Sequence, residues 1–455
     1  MRERICIACG SRLPEKALMD FEGMPASAQN IPNREEVKAD EGMELHLCQC
    51  GRCGLVQFDC QPVDYYRDVI RSGGFSTTMV ELRRSQYRHF IETYGLEGKK
   101  IIEAGCGQGE FLSVLKEFPV KGYGIEHKED LVELARSRGL TVWRQFADQE
   151  GTILKNPDGE GEGPYDAFLS FNFLEHQPDP VGMLKCLYRN LTEDGLGLLT
   201  VPSFEYILEH DGYYELIRDH LAYYTFDTLR FVLGRAGFEV LEEEMVNRDT
   251  LSVIVKKVKS SWGERLEEMG ETEECRAAAE SQASAEGKPK VAAAERSQDA
   301  VAESQATAEG KTKVAAAKRS QEAAAEKWAA ADISGLVKSR TVIGNEIAAL
   351  FERLEREGKT LAVWGASHQG FTLAATTSLG EKAQYIIDSA PFKQGLFAPA
   401  SHLPIVAPAY YQEQPVDAVL IVAPGYTDEI AGNIREKFGS GVEILAIKSN
   451  HLEHL

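Results

Sequence analysis

A glycine-rich turn between an apolar strand and a helix carries the clearest chemical signal in the chain. The strand covers residues 101–104, the turn contains Gly105, Gly107 and Gly109, and Glu110 opens the helix. Glycine permits positive φ and lets the backbone approach a ligand closely, as nucleotide-binding turns require. Glu110 stands where a dinucleotide fingerprint has its third glycine, which disfavours pyrophosphate binding. The turn therefore predicts a nucleoside cofactor that is not a dinucleotide.

Two carboxylates narrow the choice of cofactor. Glu103 precedes the first glycine by two residues, where it would repel a phosphate and attract the ammonium and sulfonium charges of S-adenosylmethionine. Glu126 ends the next apolar run about 20 residues further on, where an acid can accept hydrogen bonds from both ribose hydroxyls. The three glycines and two acids resemble the cofactor site of class I S-adenosylmethionine-dependent methyltransferases. We therefore expect S-adenosylmethionine at this turn, with Glu103 and Glu126 beside it.

Four cysteines near the N-terminus have the spacing of a metal site. They form two C-x2-C pairs, each followed by a glycine: Cys6, Cys9, Cys50 and Cys53. Each pair can chelate one tetrahedral ion from a tight turn, and four thiolates leave no position open for a substrate. Cys48 lies next to the second pair but does not reproduce the spacing of the first. We predict a structural Zn²⁺ in a zinc-binding domain over residues 1–60.

Two polar loops that follow predicted strands hold further candidates. After the strand near 165–171, Asn172, Glu175 and His176 either reach cofactor or substrate or belong to a helix cap. Of these, Asn172 is our candidate for a cofactor contact. The loop 202–225 is long for a strand–helix connection and is crowded with tyrosine, histidine and acidic residues. Long loops in compact domains are usually functional, so we expect catalytic residues in this one.

Within the long loop, residues 219–224 read Asp-His-Leu-Ala-Tyr-Tyr and resemble the acid-His-x-x-aromatic segment of the nucleotide-sugar C-methyltransferases. That family is also marked by an N-terminal four-cysteine zinc domain and a distinctive C-terminal domain, which residues 392–395 and 404–406 resemble. Where the family commonly reads Tyr-His-Glu-His, residues 217–220 read Ile-Arg-Asp-His. The resemblance implies C-methylation of a nucleotide-linked keto-deoxysugar at a carbon next to the ketone. His220 would be the general base, with Asp219 as its catalytic partner.

Six further residues are candidates for substrate contact, on the methyltransferase side and in the C-terminal part of the chain. They are Tyr65, Tyr66, Tyr223, Ser367, His368 and Lys393. For the paired tyrosines 65 and 66, half-buried packing with wet hydroxyls is an equally good interpretation. The last three lie near a second strand–glycine–helix pattern, whose G-x4-G spacing is also explained by turn geometry alone.

Alternating strand and helix patterns predict an α/β fold: a Rossmann-like class I methyltransferase core between an N-terminal zinc-binding domain and a C-terminal Rossmann-like domain. The core strands are expected near 100–105, 121–126, 141–145, 165–171 and 195–201, followed by a hairpin at 240–246 and 250–257. The predicted domains after residue 60 are 61–262 (methyltransferase), 263–332 (duplicated low-complexity linker) and 333–455 (C-terminal domain). Residues 21–32, between the cysteine pairs, are expected to form a loop.

The linker and the bulk composition limit what else the chain can do. A 23-residue unit occurs twice, at 279–301 and 302–324, with too few large apolar residues to form a core. A net charge of −21 would repel a phosphodiester backbone, so nucleic acid is not an expected partner. Because we find neither a signal peptide nor an uncharged apolar run of membrane-spanning length, we expect a cytoplasmic protein with no membrane partner.

Three functions remain open from the sequence. The first is the C-methyltransferase implied by the resemblance, acting on a small molecule. The second is an O- or N-methyltransferase acting on another small molecule, which the Ile-Arg-Asp-His departure at 217–220 keeps open. The third is a cofactor-binding scaffold without catalytic activity. The oligomeric state stays open.

Overall fold

The computed structural model describes residues 4–68, 76–157, 159, 161–259, 328–423, 425–439 and 441–455. The strands in chain order are β1 (Met19–Met24), β2 (Met43–Gln49), β3 (Val56–Phe58), β4 (Lys100–Ala104), β5 (Lys121–Glu126), β6 (Val142–Arg144), β7 (Tyr165–Phe171), β8 (Leu191–Pro202), β9 (Ala222–Tyr223), β10 (Phe238–Val246), β11 (Thr250–Lys257), β12 (Leu361–Trp364), β13 (Ile386–Ile387), β14 (Ile405–Val406), β15 (Ala418–Ile421), β16 (Glu443–Lys448) and β17 (His451–His454). The α-helices are α1 (Thr77–Tyr94), α2 (Glu110–Leu115), α3 (Glu129–Ser137), α4 (Pro180–Arg189), α5 (Phe204–Glu209), α6 (Phe226–Arg235), α7 (Ser334–Glu357), α8 (His368–Thr376), α9 (Leu379–Lys382) and α10 (Thr427–Phe438).

The central sheet has the strand order β10-β11-β8-β7-β4-β5-β6, counted over the described residues. Strands β4 to β8 run parallel to one another, and β11 pairs antiparallel with β8 and β10. The inner strands read as nearly continuous apolar runs because helices cover both faces of such a sheet. The predicted strands and the predicted hairpin are all present, so the predicted Rossmann-like methyltransferase core is confirmed. From β4 the chain first adds strands on one side of the sheet (β5, β6) and then on the other (β7, β8). Ligands bind at this reversal, between β4 and β7, in folds of this type.

The N-terminal sheet has the order β1-β2-β3-β9, so its last strand comes from the methyltransferase part of the chain. Residues 19–24 form a strand, and Phe21 and Met24 are buried. The prediction of a loop over 21–32 was therefore wrong for its first four residues. The alternation of apolar and polar side chains over 19–21 was too short a signal to separate a strand from a loop.

The C-terminal sheet has the order β14-β13-β12-β15-β16-β17, with only β17 antiparallel. Helix α7 leads into it and packs its buried stripe against the same apolar cluster as β12 and β15. This is the predicted second Rossmann-like domain. The repeat units at 279–301 and 302–324 lie outside the described residues, as does most of the predicted linker. Among the described helices, none is both long and apolar enough to cross a membrane.

Candidate active site

The glycine turn lies at the carboxyl end of β4, at the point where the strand order reverses. Gly105, Gly107 and Gly109 all have positive φ, of 68°, 56° and 84°. The amide nitrogen of Gly105 donates to Ile125 O at 3.0 Å, which holds the turn against the next strand. A side chain at any of the three positions would be strained, because L-residues with a Cβ rarely adopt these φ values.

The two predicted cofactor acids end neighbouring strands. Glu126, buried at the end of β5, accepts hydrogen bonds from Gly107 N at 2.9 Å and from the amides of His127 and Lys128 at 2.8 and 3.0 Å. Its carboxylate therefore holds the glycine turn against the end of β5. Glu103 is fully buried in β4. It lies beside Leu169 of β7 in the ladder, close to the end of that strand.

Asn172 follows β7 at the same edge of the sheet. Its φ of 47° is left-handed, a conformation in which asparagine is enriched. Its side-chain oxygen accepts from Thr200 Oγ1 at 2.8 Å, and its amide donates to Thr200 O at 2.8 Å. The side chain is thus fixed to β8 and lies at the surface of the sheet edge.

The residues present fit S-adenosylmethionine. A Cβ built on Gly107 would come within 2.9 Å of Glu110 Oε2, so the turn leaves no room for a side chain over its backbone. The three glycines carry no side chain that would project from the turn, Glu126 ends the adjacent strand, and Glu103 supplies a buried acid nearby. Glu103, Asn172, Glu126 and the three glycines would hold the cofactor, which when bound supplies a methyl group on a sulfonium.

Three side chains that can exchange a proton lie together where the loop after β7 meets the loop 203–224. Atoms of Glu175, His176 and His220 that could each bind a proton or a metal ion lie within 4.8 Å of one another. The rings of His176 and His220 meet edge to face with centroids 4.9 Å apart, and His176 Nε2 lies 3.8 Å from Glu175 Oε1. His176 Nδ1 lies 2.7 Å from Asp219 O and can only donate to it. Its Nε2 is therefore the acceptor nitrogen while the ring is neutral.

Burial sets the protonation of this group. Removal from water raises the pKa of Glu175 to about 8, so its carboxyl group holds a proton at neutral pH. The same cause lowers the pKa of His176 below its usual value, although the nearby Asp219 opposes the shift. Burial and the neighbouring His176 and His368 lower the pKa of His220 well below its usual value. Both imidazoles are therefore neutral and able to accept a proton at pH 7.

Asp219 does not contact the imidazole of its sequence neighbour. Its carboxylate accepts from Tyr65 Oη at 2.5 Å and from Ala28 N at 3.0 Å, and it is buried. The predicted pairing of Asp219 with His220 is therefore not supported by this geometry, because the two side chains point to different partners. Tyr65, a predicted substrate contact, instead donates to Asp219 and lies 2.9 Å from Ser27 Oγ. The negative charge of Asp219 and burial raise the pKa of Tyr65.

The other two predicted tyrosines differ in accessibility. Tyr66 is half-buried, accepts from Arg67 Nε at 3.1 Å and packs edge to face on Phe146. Tyr223 is buried, and its hydroxyl donates to Ile217 O at 3.1 Å while accepting from Ile217 N at 2.8 Å. Tyr223 thus closes the loop on itself, and the substrate contact predicted for it is not supported by this geometry.

The C-terminal candidates approach the site from the other side. His368 Nε2 lies 3.1 Å from Glu215 Oε2, and the Gln369 side chain donates to Glu215 Oε1 at 2.9 Å. Ser367 caps α8 by accepting from Gly370 N at 3.3 Å. Lys393 Nζ donates to Ala366 O at 2.6 Å, so it fixes the turn after β12. Of the three candidates, His368 is the one that acts electrostatically on His220, where it helps to lower the pKa of that imidazole.

A cleft of about 580 Å³ lies between the methyltransferase part and the C-terminal domain. Its lining contains three tyrosines, Tyr206, Tyr214 and Tyr426, together with the cations Arg248 and Lys448. It also contains Glu215, the residue that pairs with His368. The sequence had placed several of these lining residues in the long loop 202–225. No motif in the sequence indicated that residues 425–429 and 448 would also line the cleft.

The four predicted cysteines come together in the N-terminal part of the chain. Cys6 Sγ lies 3.6 Å from Cys53 Sγ, Cys9 Sγ lies 3.5 Å from Cys50 Sγ, and all four sulfurs lie within 4.8 Å of one another. Zinc at about 2.3 Å from each sulfur of a tetrahedron separates the sulfurs by roughly 3.8 Å. The cluster therefore fits a tetrahedral zinc ion. Cys48 lies outside it and accepts from Arg4 Nη2 at 2.9 Å.

Known proteins match two parts of the chain. Residues 79–243 match the family described as methyltransferase domain, and residues 297–447 match the C-methyltransferase C-terminal domain. C-methyltransferase NovU from Streptomyces niveus is 22% identical over 435 residues, which cover 93% of this chain and 90% of that protein. Ubiquinone biosynthesis O-methyltransferase from Idiomarina loihiensis is 29% identical over 108 residues, which cover 23% of this chain and 44% of that protein.

Solved structures also resemble part of the chain. Magnesium protoporphyrin IX methyltransferase from Synechocystis PCC 6803 with bound SAH has 18% identity and a TM-score of 0.33, over 42% of this chain and 90% of that one. A methyltransferase from Clostridium acetobutylicum has 13% identity and a TM-score of 0.31, over 39% of this chain and 92% of that one.

The two domain matches, with the sheet order and the glycine turn, define the chain as a class I S-adenosylmethionine-dependent methyltransferase that carries a C-methyltransferase C-terminal domain. The family resemblance and the enzyme class predicted from the sequence are confirmed. The individual site residues stay predictions, and so does the identity of the methyl acceptor.

Proposed function

We propose that this enzyme transfers the methyl group of S-adenosylmethionine to a carbon next to the ketone of a nucleotide-linked keto-deoxysugar, with His220 as the general base. The match to the C-methyltransferase C-terminal domain and the similarity to NovU over most of both chains support C-methylation. The cleft between the two parts of the chain offers room for a substrate longer than a free sugar, within the usual range for ligand pockets.

The observation that carries the catalytic part is the state of His220. Its imidazole is half-buried beside His176, its lowered pKa keeps it neutral at pH 7, and it makes no hydrogen bond to any residue that the structure describes. Glu175 and His176, which lie beside His220, belong to the loop after β7. Strands β7 and β4 are parallel neighbours, so their carboxyl ends lie at the same edge of the sheet. A base at that edge lies on the same side of the sheet as the glycine turn.

In the proposed reaction, His220 takes the proton from the acidic carbon next to the ketone. The electron pair of the broken C–H bond would form the new C–C bond to the methyl group, which S-adenosylmethionine would supply from its sulfonium, leaving a neutral thioether. His220 then releases the proton to solvent. Burial helps by excluding water that would compete for the carbanion.

The first prediction tests the base. His220→Ala and His220→Asn should lower turnover by about 10²- to 10⁴-fold, the usual contribution of a general base, because neither side chain accepts a proton near neutral pH. S-adenosylmethionine affinity, measured by calorimetry, should stay unchanged. His89→Ala, which removes a surface pair with Glu242, is the control. Wild-type turnover in both His220 variants, with methyl transfer rate-limiting, would rule out His220 as the base.

O-methylation is the second candidate, because the ubiquinone biosynthesis O-methyltransferase match covers part of the same domain. A panel of nucleotide-linked keto-deoxysugars deuterated next to the ketone separates the two reactions by mass spectrometry. C-methylation removes one deuterium for every methyl group gained, whereas O- or N-methylation retains it. A product that retains all its deuterium, beyond exchange measured without cofactor, would refute the C-methylation proposal.

We also propose that Cys6, Cys9, Cys50 and Cys53 hold one structural zinc ion. The sulfur separations fit a tetrahedral site, and four thiolates would close it to substrate. Its role would then be to stabilise the N-terminal part of the chain, whose small sheet has few strands of its own.

A further inference from the structure

The residues on both sides of His220 are held by the N-terminal part of the chain. Immediately after it, Leu221 O accepts from Phe58 N at 3.0 Å, and β9 continues the ladder with Ala222 opposite Gln57. Strand β9 has no other partner strand among the described residues. The exit of the His220 loop is therefore fixed by β3.

The entrance to the loop is fixed by the segment between the two cysteine pairs. Arg218 Nη1 donates to Ala26 O at 2.6 Å. The carboxylate of Asp219 accepts from Ala28 N, and also from Tyr65. His220 thus lies in the methyltransferase sequence while its neighbours on both sides bind to residues that precede that domain's first strand.

Strand β3 is in turn tied to both cysteine pairs. It begins three residues after Cys53, and Leu55 O accepts from Cys50 N at 2.9 Å. The side chain of Gln57, which is 1% exposed, accepts through Oε1 from Ile7 N at 3.0 Å, between Cys6 and Cys9. Gln57 therefore joins the first cysteine pair to the strand that pairs with β9.

Apolar side chains connect the same parts of the chain as these hydrogen bonds. Ala222 and Tyr224 belong to the same buried cluster as the four cysteines. Leu174, next to Glu175, also belongs to this cluster. The loops that carry the two histidines therefore share one buried apolar cluster with the four cysteines.

We propose that Gln57 and the four-cysteine site are a positioning device for His220, acting through β3 and β9, so that methyl transfer depends on the cysteine site while cofactor binding does not. This inference rests on the proposed role of His220. The glycine turn and Glu126 are held by hydrogen bonds between the ends of β4 and β5, and the bonds of β3 and β9 given above are to other residues. A small displacement of a catalytic group is enough to slow a reaction by about 100-fold.

Gln57→Met keeps the size and the burial but removes the acceptor for Ile7 N. We expect kcat to fall about tenfold or more, with S-adenosylmethionine affinity within about twofold of the wild type. Hydrogen exchange, read by mass spectrometry, should be faster in peptides covering 217–224 and unchanged at 100–126. Gln57→Glu, which at this buried position would be protonated and retain an acceptor oxygen, should recover part of the loss.

Gln49→Met is the matched control. Gln49 is also a glutamine of the N-terminal sheet. Its side chain bonds to Gly54 O, beside the second cysteine pair, and to Ala329 and Ala331, but not to the His220 loop. It should leave exchange at 217–224 unchanged. Zinc content is measured in every variant, so that loss of the metal is separated from loss of the Gln57 bond.

The outcomes separate this inference from the proposed function. If Gln57→Met leaves both kcat and exchange at 217–224 unchanged while His220→Ala is inactive, the positioning inference is wrong and the base assignment stands. If exchange rises while His220→Ala retains full turnover, the positioning contact stands and the base assignment is wrong. Equal weakening of cofactor affinity and kcat in Gln57→Met would indicate general destabilisation and would also overturn the inference.

Discussion

Asp219 and His220 are adjacent in sequence but have different partners. Asp219 binds Tyr65 and Ala28, which are far from it in sequence, whereas His220 meets His176. The family resemblance identified the segment, but the orientation of the acid depends on contacts with the N-terminal residues. A motif of adjacent residues does not determine which side each one faces. Here Asp219 lies in a turn that His220 N closes by donating to Ile217 O at 3.1 Å.

The second prediction concerns the pH dependence of the reaction. A base must be neutral to act, and the pKa of His220 is lowered well below 6.5 by burial and by its two neighbouring histidines. Activity should therefore be retained as pH falls below 6.5 and be lost only at the lower pKa. The acidic limb of kcat/KM against pH, which reports the free enzyme, should have its midpoint below 6.5.

An acidic limb with its midpoint at pH 6.5 or above would contradict this expectation. Such a midpoint would require a His220 imidazole that is solvated or stabilised in its charged form. The variant His368→Asn tests whether the neighbouring histidines lower the pKa of His220. Removing one of the histidines that lowers the pKa of His220 should move the acidic limb to higher pH.

At the scale of elements, the methyltransferase strands were predictable because long apolar runs alternate with amphipathic helices. Strand β9 was not, since two residues carry no periodic pattern, and its partner β3 is far away in sequence. Strand β1 was also missed, because its alternation of apolar and polar residues stops at Gly23. The glycine turn could be located from the sequence because positive φ favours glycine, whereas the contacts of Tyr65 and Tyr223 depend on tertiary packing.

The third prediction concerns the glycine turn. Gly107→Ala places a Cβ 2.9 Å from Glu110 Oε2, which displaces that carboxylate, and it strains the backbone at a φ of 56°. We expect S-adenosylmethionine affinity, measured by calorimetry, to fall at least about tenfold, given the cost of a Cβ in this region. Gly344→Ala, in helix α7 with nothing near its added Cβ, should bind normally. Unchanged affinity for Gly107→Ala would place the cofactor elsewhere.

At the scale of the whole molecule, the three sheets are connected by polar contacts between parts of the chain. His402 Nε2 lies 2.9 Å from Asp40 Oδ2, and His368 binds Glu215. Tyr214 Oη donates to Ser449 O at 2.8 Å. The C-terminal domain is thus joined to both other parts, which explains how residues distant in sequence border one cleft.

The fourth prediction concerns the metal. Elemental analysis of the purified protein should find one zinc per chain, and Cys6→Ser should lose it and lower the thermal stability of the N-terminal part. Metal binding supplies on the order of 10 kcal/mol to small domains of this kind. Cys48→Ser, outside the cluster although also buried, should keep the metal. Full zinc content in Cys6→Ser would show that the cysteines do not form the site.

The last prediction concerns the duplicated segment. Residues 279–324 carry few large apolar side chains, so they cannot offset the entropy of ordering a core. Removing them should leave turnover, zinc content and thermal stability nearly unchanged.

About 22 residues would remain between Lys259 and Trp328, enough to span up to roughly 70 Å when extended. The domain after the linker should stay in place, because the Trp328 ring lies against Gly54 and Ala331 N donates to Gln49 Oε1 at 2.8 Å. A loss of turnover beyond about tenfold would show that the repeats contribute to the working enzyme, since a shorter flexible connection costs little by itself.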